Sequence, residues 1–440
     1  MKNKFLLMFD YLLIAISFIL VILGILFIYS SSINQYGISV RTEHKRQLIW
    51  FFTGVIAMIF FTIYDYRKIK KISLWFYIGI IILLIYTLIF GKEVNNAKSW
   101  IGIGSVGMQP SEIGKIAFIL FLGKYLEDTK SDESIRRYVF AVLIMIPPFV
   151  LTLLQPDMGT ACVYIAIFLC MTFLSDIPVR YIAFTILFGL FTILFAVLPQ
   201  LNSEILDQPK RIFYILSNSK LKMILVLTSA LITAVGFIVR KYFHGPKYYY
   251  WITFVFGIIT VALLCSWVLV KVLKPYQLRR LYIFLDPYKD GKKGLGDGWN
   301  IIQSKIAIGS GGFKGQGYLN GSQSHGRYLA EQSTDFIFSI YSEEFGFWGG
   351  LLIFILYTSI FIRMIYIIKQ TKNSYGTLVG AGILGMYMFH FIINVGMVMG
   401  IMPVMGIPLL LLSYGGSSLI TSLIAIGFMM SINYRKKELL

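Results

Sequence analysis

Apolar runs of roughly 17–25 residues recur along almost the whole chain, and this is the length a helix needs to cross the hydrocarbon core of a bilayer. Lipid offers no hydrogen-bond partner to bare backbone, so runs of this kind must be helices. Of 440 residues, 57% are hydrophobic and only 14% charged, where a soluble domain is about a quarter charged. The short alternating segments of an outer-membrane barrel are absent. The expected fold is therefore all-α: a polytopic helical membrane protein with about 12 transmembrane helices. The spans are placed near 10–30, 48–64, 72–90, 111–126, 137–154, 160–175, 180–198, 222–239, 250–273, 335–362, 376–401 and 409–432.

A formal charge of +19 could point to nucleic acid. The basic residues, however, lie in short clusters between the apolar runs, as topology signals do, and nucleic-acid binding is not expected. Cys162, Cys170 and Cys265 all fall inside apolar runs, which leaves no disulfide framework and no exposed thiol nucleophile. His44, His244, His325 and His390 are scattered, without the close spacing of a metal site. The run from Tyr11 to Tyr29 is too long for a cleaved signal and lacks an A-x-A site, so it reads as the first span. With the N-terminus inside, Arg67-Lys68, Lys70-Lys71, Arg136-Arg137, Arg240-Lys241, Arg363 and Arg435-Lys436-Lys437 become cytoplasmic, in accord with the positive-inside rule. Both termini are then cytoplasmic. The loop 91–110, the junction 155–159, the long loop 274–334 and the turn 402–408 all share the outer side.

These outer segments carry the polar chemistry. Gln109-Pro110-Ser111-Glu112 starts a helix, with proline near the first position and an acid in the first turn. Glu112 and Lys115 are three apart and can pair on one face. Charges inside a span usually face a bundle interior or a wet cavity, although a structural ion pair would also account for them. Trp100 suits an interfacial anchor as well as a substrate contact. Asp157, in Gln155-Pro156-Asp157-Met158-Gly159-Thr160, can cap the following helix, serve a site, or do both.

In the long loop, 301–308 is apolar enough for a short re-entrant or surface helix, which Gly309-Ser310-Gly311-Gly312 would end. With Lys305, Arg279 and Arg280, such a backbone nest could receive a phosphate. The nucleotide P-loop pattern is missing. Asp335 stands at the mouth of a span, where partial desolvation would suit a carboxylate to abstract a proton. Ser333 or Thr334 could supply a helix cap there equally well. In Asn394-Val395-Gly396-Met397 and Ser413-Tyr414-Gly415-Gly416-Ser417-Ser418, the small residues allow close helix packing.

In combination, five segments resemble the SEDS family (shape, elongation, division and sporulation). They are Gln109 to Glu112, Gln155 to Thr160, Ile302 to Gly312, Thr334 to Phe338 and Ser413 to Ser418. Lys305 and the run Asn394 to Gly400 are similar to the elongation branch more than to the division branch. The resemblance covers the chain apart from about residues 200–250. It implies a peptidoglycan glycosyltransferase of the bacterial plasma membrane that extends glycan strands from lipid II, with an undecaprenyl-linked glycan as donor. It further implies a class B penicillin-binding protein as partner, beside other elongation-complex membrane proteins. The family's outer-loop catalytic aspartate corresponds to Asp335, and other important positions to Trp100, Glu112, Lys115 and Asp157.

The family ordinarily has Leu-Pro-Glu-Arg-His-Thr-Asp where this chain has Leu329-Ala330-Glu331-Gln332-Ser333-Thr334-Asp335, so no role for that histidine transfers. The family normally shows ten spans, and the two additional runs point to an insertion at 199–250 within a single 1–440 transmembrane domain.

The expected mechanism is a single inverting displacement with Asp335 as general base. Lys115, Lys305, Arg279 or a divalent cation (Mg or Mn) would stabilise the leaving pyrophosphate. Competing readings are a lipid II flippase, a division-type polymerase, and a non-catalytic scaffold for the penicillin-binding partner.

Overall fold

The computed structural model describes residues 9–436, apart from 35, 95–96, 104–105, 205–214, 244–245, 274, 290–295, 297 and 330. Its elements in chain order are α1 (Tyr11–Ser32), α2 (Glu43–Ile63), α3 (Tyr66–Phe90), β1 (Lys92–Val94), β2 (Ala97–Ile103), β3 (Val106–Met108), α4 (Pro110–Asp128), α5 (Ser134–Leu154), α6 (Met158–Phe173), α7 (Val179–Glu204), α8 (Ser219–Tyr242), α9 (Tyr248–Val272), α10 (Pro275–Ile283), α11 (Trp299–Gly311), α12 (Ser322–His325), α13 (Ile337–Gln370), α14 (Ser374–Val398) and α15 (Gly416–Arg435). Among the described residues, ten helices are long and apolar enough to cross a membrane. The other two expected spans also fall on helices. α4 carries Glu112, Lys115 and Lys124 in 19 residues, and α6 has 16 residues.

Local chemistry sets several helix starts. Asp10 accepts the Leu13 N–H at 3.0 Å, Asp65 accepts that of Arg67 at 2.9 Å, and Asn373 accepts that of Gly376 at 2.9 Å. Each satisfies a donor that the first helical turn leaves open.

Two stretches differ from the sequence expectation. The loop 91–110 contains a small antiparallel sheet of order β1-β2-β3, with Lys92 opposite Trp100 and Ile101 opposite Met108. Pairing satisfies backbone groups that a bare loop at the edge of lipid would leave to water. The expected span 409–432 is helical only from Gly416. Residues 402–415 form a non-helical segment in which Pro403 and Pro408 lack N–H donors, while Gly406 (φ 65°) and Leu411 (φ 72°) turn the chain left-handed. Irregular backbone at membrane depth persists only where protein or water satisfies it, and here side chains do so.

The chain forms two compact units, Met1–Ile177 with Trp299–Leu440, and Pro178–Gly298. In the first, α14 and α15 are the most enclosed spans. α2 lies close along α15: a Cβ on Gly427 would sit 2.6 Å from the Met58 carbonyl oxygen, and one on Gly54 would sit 2.5 Å from the Leu423 side chain. The second unit holds α7 to α10. There Thr260 Oγ1 on α9 donates to Ser229 Oγ on α8 at 2.9 Å. The expected insertion at 199–250 falls in this unit, and residues 205–214 of it lie outside the described residues.

Candidate active site

Segment 402–415 is the structural centre of the candidate site, because side chains from three helices, α2, α13 and α14, bind its backbone. Asn394, buried on α14, donates through Nδ2 to the Ile407 oxygen at 2.7 Å and to the Asp335 oxygen at 2.9 Å. One amide nitrogen thus joins the segment to the residue that heads α13. The Tyr414 N–H donates to the Ser333 oxygen at 2.8 Å. Gln47 of α2 donates to the Ser413 oxygen at 3.0 Å and accepts the Gly415 N–H at 3.2 Å. Asp335 Oδ2 would lie 3.4 Å from a Cβ on Gly406, so glycine there allows the left-handed turn and leaves room beside the carboxylate. Asp335 is partly exposed. The cap position of α13 falls on Phe336, not on Ser333, Thr334 or Asp335.

Asp157 reaches the same segment through its turn. A Cβ on Gly159 would lie 2.4 Å from both the Met405 oxygen and the Ile407 side chain. Asp157 Oδ1 accepts the Thr160 N–H at 3.1 Å, and Oδ2 accepts from Gln109 Nε2 at 2.6 Å. It is a cap and a partner of the 91–110 loop at once. Burial pushes its carboxyl above the usual carboxylate range, and the Thr160 bonds oppose that. The Gln109 N–H donates to Ser417 Oγ at 2.9 Å, which brings the start of α4 to the start of α15.

The expected Glu112–Lys115 pair is present, with Lys115 Nζ 2.8 Å from Glu112 Oε1. Both are enclosed, at 2% and 0% exposure. Lys115 Nζ also lies 3.1 Å from His390 Nε2, and His390 Nδ1 lies 2.9 Å from the Pro408 oxygen. A carbonyl oxygen only accepts, so Nδ1 carries the proton and Nε2 accepts from the ammonium. His390 is thereby a neutral link between Lys115 and segment 402–415. Among the described residues Glu112 Oε2 has no hydrogen-bond partner.

The remaining candidates sit further out. Lys305, exposed on α11, has Nζ 3.3 Å from where a Gly400 Cβ would be, just before the segment. α11 is anchored by Ser304 Oγ, 2.6 Å from the Val398 oxygen and 2.7 Å from Ser339 Oγ. The expected short helix in 301–308 is thus present, and Gly312 (φ 52°) follows its end. Trp100 packs on the neighbouring strand, its ring 3.1 Å from a Cβ position on Gly107. Arg279 belongs to α10 of the second unit, whereas the other six candidates belong to the first.

Sequence reasoning missed His390, Gln109 and Gln47, and also the carboxylates Glu343 and Glu344. Glu343 accepts the N–H groups of Gln323 (2.7 Å) and Ser324 (3.1 Å). Glu344 accepts the Leu319 N–H at 3.2 Å and the Ser30 hydroxyl. Both fold the outer loop onto α13. Two signals were available. His390 and Asn394 are four apart, hence on one helix face, and two adjacent carboxylates near the start of a span are costly unless partnered.

No three His, Cys, Asp or Glu side chains gather into a metal-binding group among the described residues. The described residues therefore offer no protein cage for Mg or Mn.

A multi-pass helical protein with acids, amides and a buried lysine gathered around one irregular segment belongs to the class of membrane proteins that work on a polar group at the edge of lipid. The chain belongs to the FtsW/RodA/SpoVE cell cycle protein family, whose model matches residues 10–222 and 223–438. It is 47% identical to peptidoglycan glycosyltransferase RodA of Treponema pallidum (strain Nichols) over 428 residues, 97% of this chain and 98% of that protein. It is 30% identical to peptidoglycan glycosyltransferase MrdB of Escherichia coli (strain K12) over 336 residues, 76% of this chain and 70% of that one. A solved structure described as "Structural coordination of polymerization and crosslinking by a peptidoglycan synthase complex" shares the fold, with a TM-score of 0.67 and 23% identity over 97% of this chain and 98% of that one.

Proposed function

We propose that the chain is a peptidoglycan glycosyltransferase that polymerises lipid II during cell elongation, with Asp335 as its general base. The observation that carries this reading is the position of Asp335. It is a partly exposed carboxylate at the head of α13, fixed through Asn394 to the segment that also touches the Asp157 turn and the Lys115–His390 link. The identity to the Treponema pallidum protein over nearly the whole chain supports the activity.

In this reaction the acceptor sugar hydroxyl gives its proton to Asp335 as its oxygen bonds to the anomeric carbon of the donor. The bond from that carbon to the lipid-linked pyrophosphate breaks, and the pyrophosphate leaves as the anion. Base catalysis of this kind is worth about 10²–10⁴ in rate. Lys305 is assigned to the leaving pyrophosphate, and Trp100 and Asp157 to holding substrate. Glu112 and Lys115 shape the wall of the site. The chain lies in the bacterial plasma membrane with both termini cytoplasmic and residues 274–334 outside, and a class B penicillin-binding protein crosslinks the product. The 199–250 insertion is part of this single functional domain.

Incubating the purified protein with lipid II tests the reading. Glycan chains should appear with the native protein and be lost with Asp335→Ala, while the variant's insertion and thermal stability persist. Movement of lipid II across vesicles without polymer would instead support the flippase. Full activity of the variant would remove Asp335 from the mechanism.

A further inference from the structure

At the far end of α2 and α15 from the candidate site, a cleft of about 390 Å³ is lined by Phe60, Ile63, Tyr64, Asp65, Lys68 and Arg435. We propose that this cleft binds the headgroup of an anionic phospholipid, whose acyl chain runs along the outer face of α2. The inference does not depend on the polymerase reading.

Charge selects an anion. Asp65 is the acid of the cleft, and Arg67 grips it with Nε at 3.0 and 3.1 Å and Nη2 at 2.9 Å. Arg435 Nε approaches it at 3.5 Å. Three cations, Arg67, Lys68 and Arg435, thus face one carboxylate, which leaves a local charge of +2. Arg435 is nearly enclosed, and neutral oxygens hold it in place: Nη1 donates to Ser431 Oγ at 2.7 Å and Nη2 to the Ile63 oxygen at 2.6 Å. Its position is fixed mainly by these neutral oxygens, and it shares the single Asp65 carboxylate with Arg67. Lys68 is exposed at the rim and can swing onto a phosphate.

Shape selects a lipid over a soluble anion. Phe60 and Ile63, two walls of the cleft, are 56% and 59% exposed. They end a stripe of exposed apolar side chains, Ile49, Phe52, Ile56, Phe60 and Ile63, that recurs every three or four residues on one face of α2. The 14 steps from Ile49 to Ile63 rise about 21 Å, more than the ~15 Å half-thickness of a hydrocarbon core. A phosphate bound beside Lys68 and Arg435 therefore has an apolar track leading away from it, as long as one leaflet is deep. Basic pockets between spans on the cytoplasmic side commonly take anionic headgroups.

The test uses the full chain in nanodiscs of equal phosphatidylglycerol and phosphatidylcholine, released for native mass spectrometry. The native protein should retain phosphatidylglycerol in preference. Lys68→Glu should cut that retention by at least about five-fold, the effect of losing one lysine near an anionic surface. Lys369→Glu, the same charge change on an exposed lysine outside the cleft, should leave it unchanged. Because Lys68 is exposed, both variants should melt like the native chain in pure phosphatidylcholine. Equal retention of the two lipids, an equal loss with Lys369→Glu, or displacement of the lipid by soluble glycerol phosphate would each overturn the proposal.

Discussion

Lys115 lies inside a span, where a lone cation would cost about 2.5–3.5 kcal/mol to insert, and two side chains from different parts of the chain offset that cost. Glu112 supplies the opposite charge, and His390 supplies a neutral acceptor. Lys115→Met would strand the Glu112 carboxylate and should destabilise the protein by about 3–5 kcal/mol. Adding Glu112→Gln should restore much of that, because no uncompensated charge then remains; thermal unfolding of the single and double variants in one lipid decides it. His390→Phe keeps volume but takes the acceptor from Lys115 and the donor from the Pro408 carbonyl. We expect at least a ten-fold fall in polymerisation, with a loss of about 1–3 kcal/mol for each buried group left unmatched. Unchanged turnover of lipid II by that variant would show that the link between Lys115 and segment 402–415 is not needed. The Glu112–Lys115 pair was legible because three residues on a helix fix a shared face. The His390 contact bridges 275 positions, and no local rule reports which distant span will supply an acceptor.

Among elements, the outer loop and α13 are joined by carboxylates as well as by apolar contact such as Phe313 against Phe347. Glu343 accepts two backbone N–H groups and the Ser322 hydroxyl, while the Gln316 and Gly317 N–H groups bond back to the Glu343 and Glu344 carbonyl oxygens at 3.0 and 2.9 Å. Glu343→Ala should release this clamp, and hydrogen exchange at Gln323 and Ser324 should rise by an order of magnitude or more, equivalent to about 1.4 kcal/mol or above. Glu343→Gln keeps an acceptor oxygen and should fall between the two. Identical exchange in all three proteins would mean that the loop is held elsewhere. The spans themselves were readable from apolar run length, since lipid forces such runs into helices. The sheet at 92–108 was not, and of the broken stretch 402–415 only the turn 402–408 was. Leu409 to Leu412 look helical by composition, yet the Leu410 oxygen accepts the Tyr357 hydroxyl and Ser413 Oγ accepts the Leu409 N–H. Tertiary partners there replace the helical ones, and composition does not register them.

The first unit has two chemically different ends. One carries ion pairs between basic helix termini: Arg363 with Asp10 at 2.5 Å, Lys70 with Glu127 and Asp128 at 2.7 and 2.6 Å, and Arg435 with Asp65 at 3.5 Å. The other carries Asp335, Asp157 and segment 402–415. α13 and α15 each run from the acidic end to the basic one, so a membrane around them must put the two ends in different compartments. The proposed lipid II polymerisation requires the acidic end to open outward, and the positive-inside rule independently predicts a cytosolic basic end. Single cysteines separate this arrangement from its inverse. Arg327→Cys, exposed in the outer loop, should react with a membrane-impermeant maleimide in intact cells, and Lys369→Cys, exposed at the end of α13, only after permeabilisation. Background should be low, because Cys162, Cys170 and Cys265 are partly buried within apolar helices. The opposite labelling pattern would put Asp335 on the same side as the ribosome. No wall polymer is made there, and the general-base role assigned to Asp335 would have to be abandoned however well the residues around it fit together.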